Sequence, residues 1–270
     1  MMQGMRATDL SLSLRIWQWA RDTVVAWARI VHLGGMVWVL LLSPSTYRWP
    51  SLRLILQRMY RDTAPILAGF TVLAALICVV ITRIVVVTAV SYGLSRYALE
   101  MVIRVLVLEL IPLTAALFVA MRCTIPYASE LALMRHSGAW HARQQRGDAL
   151  MQQEVLPRVV SGLYASVTLA ALSCVVALVM VYVGVYGFNL AGVEGYTRMF
   201  GHVFNTSITL VFVLKTWLFS LAVAIIPAST GLYAQERRFG GRPGDELNGL
   251  VRMFAVLLLI ELASLMGNYY

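Results

Sequence analysis

The sequence predicts an all-α integral membrane protein, with five transmembrane helices preceded by an interfacial amphipathic helix and a re-entrant or surface apolar segment. Three observations predict it. The 270 residues are 60% hydrophobic and 13% charged, with a mean hydropathy of +0.75, whereas soluble domains are about half apolar and a quarter charged. Several uninterrupted apolar runs reach the roughly 20 residues that a helix needs to cross about 30 Å of hydrocarbon. The basic residues behind the net charge of +9 lie mainly between those runs, a distribution that reports membrane orientation and gives no sign of nucleic-acid binding. A soluble globular enzyme is excluded. No repeat, low-complexity tail or linker divides the chain, so residues 1–270 read as a single domain.

The elements follow in order. Ser11 to Ile30 mixes apolar positions with Arg15, Arg21, Asp22 and Arg29 and carries Trp17, Trp19 and Trp27, the composition of a helix lying in the headgroup region. No small-residue cleavage pattern follows it, so this segment is expected to be retained. Val31 to Leu42 is apolar but short, holds Gly34-Gly35 and is followed by Pro44. A full crossing here would put the N-terminal arginines and Arg48, Arg53, Arg58 and Arg61 on opposite sides, against the positive-inside bias. A re-entrant or surface segment avoids that conflict, and residues 1–62 are therefore assigned to one interfacial region. The five spans are placed at 64–90, 98–121, 159–187, 205–231 and 250–266. Between the second and third lies a polar stretch, 122–158, with Arg135, Arg143 and Arg146. Placing 1–62, 122–158 and 233–248 on the cytoplasmic side collects most of the arginines there and leaves Arg96 and Arg198 outside. The N-terminus is then inside and the C-terminus outside.

Ionisable residues within spans are costly and usually face a bundle interior or a water-filled cavity. Here they are Arg83, Glu100, Arg104, Glu109, Lys215 and Glu261. Glu100 and Arg104 stand four apart with the acid first, a self-neutralising helical pair or part of a site. Glu109, Lys215 and Glu261 come from three different spans; they converge on one polar site or form a salt bridge that locks packing. Arg83 is expected to snorkel to the outer interface. Ala74, Cys78 and Thr82 form a row of small residues on one face of the first span, suited to close helix approach either between two copies or within one chain.

Several chemistries find no support. Lys215, the sole lysine, has no glycine-rich loop before it, so a P-loop is absent. His32, His136, His141 and His202 form no metal-binding spacing, and no Gly-x-Ser-x-Gly elbow occurs. Cys78, Cys123 and Cys174 are dispersed and suggest neither a disulfide framework nor a metal cluster. An integral-membrane enzyme, such as an acyltransferase, lacks a clustered nucleophile or acid-base set.

Glu109-Leu110-Ile111-Pro112, then Ala120-Met121-Arg122, Ser129-Glu130-Leu131-Ala132-Leu133-Met134-Arg135 and Pro157-Arg158 resemble the blocks E-L-G-P, A-G-R, A-E-I-G-x-M-R and Pro-Arg of the MlaE-type permease family. The similarity runs from about Met59 to Glu261, with Lys215 and Glu261 where that family places a lysine and usually an aspartate. The resemblance implies the permease subunit of an ATP-driven phospholipid transporter in the bacterial inner membrane, working with an MCE-domain protein toward the outer membrane. Its partners would be ABC ATPase subunits, which hold the ATP and Mg, the periplasmic MCE-domain protein, and a second permease copy in a homodimer or heterodimer. No cofactor is expected in this chain, and no nucleic acid. By the same resemblance, Tyr92, Arg104, Glu109, Lys215 and Glu261 would lie near a lipid cavity. Arg122, Glu130, Met134, Arg135, His136 and Trp140 would couple the 122–158 segment to the ATPase, and Ala74, Cys78 and Thr82 would pack the dimer. The chain departs from the family pattern where Ile111, Met121 and Ala132 replace glycines, where Leu108 precedes the glutamate and the arginine stands at 104, and where Gly138-Ala139 and Ala149-Leu150 replace the E-Q and Asp-Pro elements. These departures leave an alternative: a non-transporting, permease-like scaffold in a heteromeric MCE complex.

Overall fold

The computed structural model describes residues 3–43, 49–146, 149–233 and 244–269, with side chains for 17, 21–43, 52–94, 97–146, 149–233 and 247–267. Arg48, Arg237, Arg238 and Arg242 lie outside the described residues, as do the side chains of Arg15, Trp19 and Arg96. The described residues contain no strand. The helices are α1 (Gln3–Leu42), α2 (Trp49–Ser91), α3 (Ser95–Val102), α4 (Ile111–Val119), α5 (Ile125–His136), α6 (Ala139–Gln145), α7 (Leu156–Tyr186), α8 (Val193–Val203), α9 (Thr206–Tyr233) and α10 (Gly244–Tyr269).

Prolines explain where the regular helix gives way. Three π-helical stretches, Ile103–Leu110, Ala120–Thr124 and Met151–Val155, each run into an α-helix whose second residue is proline: Pro112, Pro126 or Pro157. Proline has no N–H and its ring clashes with the preceding turn, and widening that turn to a π-helix relieves the clash. The α3–α4–α5 rod therefore continues unbroken from Tyr97 to His136. Arg122 is helical, so the expected polar stretch 122–158 begins as a continuation of the second span's helix. The rod stops at Ser137 and Gly138, whose φ of +74° needs the freedom of glycine. The chain then turns into α6, and α5 and α6 form a short helical hairpin at one end of the bundle.

Side-chain pairs fix how the rods lie. Ser161 donates to Asp62 at 2.6 Å near the hairpin end. Farther along, Thr82 fills the space beside Gly184, so α2 and α7 run parallel. Thr230 faces Gly249 near the hairpin end and Lys215 meets Glu261 farther along, so α9 and α10 are antiparallel. The directions alternate, and α2, the α3–α5 rod, α7, α9 and α10 traverse the bundle five times. Asp62 and Arg83 lie about 20 residues apart on α2, roughly 30 Å at 1.5 Å per residue, the thickness of a bilayer core.

Among the described residues six helices, one more than expected, are long and apolar enough to cross a membrane, the extra one covering Arg21–Leu42. The expected break between an amphipathic helix and a re-entrant segment is not found. α1 passes straight through Gly34-Gly35 as one helix of 40 residues, because neither glycine meets a chain reversal. Its contacts lie at the hairpin end. Arg29 stacks over the Tyr233 ring at 5.3 Å, and His32 Nδ1 is 3.4 Å from the Tyr233 hydroxyl. Leu33 and Val37 are buried with Leu131, Trp140, Leu156 and Ala228. The larger apolar core joins the middle of α2, the rod, α7, α9 and α10, with Phe70, Ile103, Leu106, Leu169, Phe219 and Leu257 fully enclosed.

Candidate functional site: a buried ionic cluster between three spans

The π-helical stretch Ile103–Leu110 carries both Arg104 and Glu109. Pro112 offers no N–H to the Leu108 carbonyl, and the Ile111 N–H donates to the Leu106 carbonyl, one residue beyond Val107, so the carbonyls of Val107 and Leu108 both lose the partner they would have in a regular helix. Cys174 Sγ approaches the first at 3.8 Å, and Lys215 Nζ donates to the second at 3.3 Å. Lysine is thus drawn to this point of the rod by a backbone acceptor that proline left open. Lys215 Nζ also pairs with Glu109 Oε2 and lies 2.8 Å from Glu261 Oε2, while its ammonium sits 5.6 Å from the centroid of the Phe219 ring. The side chains of Lys215, Glu109 and Glu261 are 2%, 11% and 14% exposed. In so dry a setting an isolated charge is prohibitive, and a paired one is held firmly.

Of the five residues expected near a cavity, the structure brings together Glu109, Lys215 and Glu261. Arg104 is held apart by its own pair: Nε and Nη2 each lie 3.0 Å from Glu100 Oε1, five residues along the helix from Glu109. Tyr92 is 78% exposed in the turn after α2, far along the bundle from the cluster, and does not join it. Ala74, Cys78 and Thr82 are 1%, 0% and 0% exposed within the single chain. Thr82 lies against Gly184 of α7, so the close approach made by this row is intramolecular, between α2 and α7, in place of the expected dimer contact. Small side chains permit a packing of this kind without specifying which partner fills it.

The six residues expected at an ATPase contact all lie on or near the hairpin. Arg122 and His136 are exposed and Met134 is half-buried. The Arg135 guanidinium stacks over the buried Trp140 ring at 5.2 Å, tying α5 to α6. Glu130, half-exposed, accepts from Arg158 Nη2 at 3.3 Å and lies 3.6 Å from Arg58 Nη2.

Glu130 also opens onto an ionic lattice that the sequence reading missed. Arg158, 7% exposed, pairs with Glu154 as well, and Glu154 Oε1 accepts from Arg143 at 2.6 Å. Arg58 reaches Asp62 at 3.8 Å and stacks over Tyr127. Asp62 in turn accepts from Ser161. Three acids and three arginines thereby bind the hairpin to α2 and α7. The signal available in the sequence was two four-residue pairs, Arg58/Asp62 and Glu154/Arg158, which local spacing alone does not distinguish from surface pairs.

Taken together, the fold and cluster define a multi-pass membrane protein built around a polar site buried within its bundle. The family model for the permease MlaE matches residues 55–266, and the chain belongs to that family of transmembrane permease subunits. A search of curated proteins finds no significant match.

Proposed function

We propose that this chain is the membrane-spanning permease subunit of an ATP-driven phospholipid transporter, working with an MCE-domain protein between the inner and outer membranes of a bacterium. The observation that carries the proposal is the Glu109–Lys215–Glu261 cluster, a polar site buried among three membrane helices of a family of lipid permeases. Apolar helix faces would accompany the acyl chains, and the polar site would meet the headgroup. The chain performs no covalent chemistry. ATP and Mg would be held by separate ABC ATPase subunits docked on the α5–α6 hairpin, with Arg122, Met134 and His136 toward them. Their motion would pass through the ionic lattice around Arg158 to α2 and α7. A second permease copy, identical or related, would complete the transporter, with the N-terminus in the cytoplasm and the C-terminus in the periplasm.

The test is mass spectrometry of the gently solubilised native complex together with a lipid-transfer assay. Two permease copies with ATPase, MCE protein and phospholipid, and transfer cut by Glu109→Ala or Lys215→Ala in an assembled complex, are expected. Unchanged transfer in both variants would overturn the role of the cluster. A second reading is a permease-like scaffold without a transport path of its own, and one observation favours it: Lys215 is satisfied entirely inside the chain. Copurification of one copy beside a different permease, with transfer insensitive to both substitutions, would decide for the scaffold.

A further inference from the structure

We propose that the cleft between α2 and α5 at the hairpin end holds the headgroup phosphate of an anionic phospholipid from the leaflet on that side. The site is separate from the Glu109–Lys215–Glu261 cluster. It rests on the chain's placement in a membrane alone, so it stands whether the chain carries lipid or serves as a scaffold. The cleft has a volume of about 390 Å³, within the usual range for a small-ligand site. One wall is a single face of α2 carrying Leu54, Gln57, Arg58 and Arg61, and the facing wall is Tyr127 and Glu130 of α5. Residues 63–82 of α2 carry no charge, and a helix of that length crosses the hydrocarbon. Arg61 and Arg58 therefore stand within about one and a half turns of its edge, at the depth of lipid phosphates. Tyr60, exposed between them, has the position of an interfacial aromatic.

The cleft holds more donors than the chain uses. Arg61 is exposed, and no hydrogen bond or ion pair joins it to another side chain among the described residues. Arg58 is fixed by its contact with the Tyr127 ring at 4.9 Å, which consumes none of its five N–H donors. It lies 3.8 Å from Asp62 and 3.6 Å from Glu130, attracted but beyond hydrogen-bond length. Those carboxylates are engaged from the inner side, Asp62 by the hydroxyls of Ser161 and Tyr127 and Glu130 by Arg158. Two guanidiniums with unused donors, three residues apart on one helix face, suit a phosphate, which accepts from both at once. The sign of the surrounding charge selects the headgroup. Arg53 stands on the same stripe as Gln57 and Arg61 and is exposed, and Arg58 retains 24% exposure; against them Glu130 is 51% exposed and Asp62 only 12%. The mouth is net positive, and a basic pocket between membrane helices at the headgroup level favours an anionic lipid.

The test uses the full-length chain, with the subunits that copurify with it, in nanodiscs of equal phosphatidylglycerol and phosphatidylcholine with identical acyl chains. Benzoylphenylalanine replaces Tyr60, beside both arginines, or Tyr92 at the other end of the bundle, and the cross-linked lipid is identified by mass spectrometry. At Tyr60 phosphatidylglycerol should exceed phosphatidylcholine roughly tenfold, while the probe at Tyr92 captures the two nearly equally. Arg61→Gln should bring the ratio at Tyr60 toward one, and because this side chain has no partner to lose, Tm should stay within about 2 °C of wild type. Equal capture at Tyr60 without the arginine substitution overturns the site outright, as does a ratio that Arg61→Gln leaves unmoved. Displacement of the captured phosphatidylglycerol by excess inorganic phosphate at constant ionic strength would assign the cleft to a free anion and overturn the lipid assignment. Each of these failures leaves the transport reading standing, because that reading is decided by Glu109→Ala and Lys215→Ala.

Discussion

Replacing Lys215 by Met removes the ammonium and keeps an unbranched side chain of similar length, leaving Glu109 and Glu261 facing each other with 11% and 14% of their side-chain surface exposed. Removing one partner of a buried ion pair typically costs about 3–5 kcal/mol, because the remaining charge stays desolvated and unpaired. With roughly 2–4 °C of Tm per kcal/mol in chains of this size class, the expected loss is about 10 °C. The same reasoning predicts recovery. In the triple variant Glu109→Gln, Lys215→Met, Glu261→Gln no charge is left buried, and replacing a whole buried ionic group is often neutral or stabilising. The assay is thermal unfolding of wild type, single and triple variants in one detergent or nanodisc composition. A single variant within about 1 °C of wild type, or a triple variant less stable than the single one, would refute the placement of a desolvated charge cluster at this point.

Three further outcomes are expected. A Cβ at Gly231 would collide with the Ala128 backbone, including its carbonyl oxygen, so Gly231→Val should force α5 from α9 and cost about 1–3 kcal/mol, read as a lowered Tm. Arg158→Met leaves Glu130 with Arg58 and Glu154 with Arg143 but removes the arginine that joins the two acids, and should speed proteolysis between residues 137 and 150 severalfold while the membrane helices stay protected; unchanged cleavage would remove the lattice as the hairpin's anchor. Tyr92 and Arg146 sit at opposite ends of the bundle on exposed backbone. With Cys78, Cys123 and Cys174 buried, Tyr92→Cys should react with a membrane-impermeant maleimide from the periplasmic side and Arg146→Cys from the cytoplasmic side only. The reverse pattern would invert the proposed orientation.

Composition and run length by themselves determined an all-helical membrane protein, because crossing hydrocarbon demands long apolar segments whose backbone is satisfied internally. The three cluster residues were legible too, since an ionisable group within an apolar span stands out against its surroundings. Only the tertiary structure decided that Glu109, Lys215 and Glu261 meet, that Arg104 stays with Glu100, and that Tyr92 lies elsewhere. Those outcomes depend on the register between α9, α10 and the rod, set by packing over many residues that no local spacing encodes. The same holds for Ala74, Cys78 and Thr82, which face α7. It holds also for α1, whose glycines promised a break that a continuous helix does not need. The lattice around Arg158 was hidden for a related reason: Asp62, Glu130 and Arg158 are separated by tens of residues and become neighbours only when α2, α5 and α7 converge.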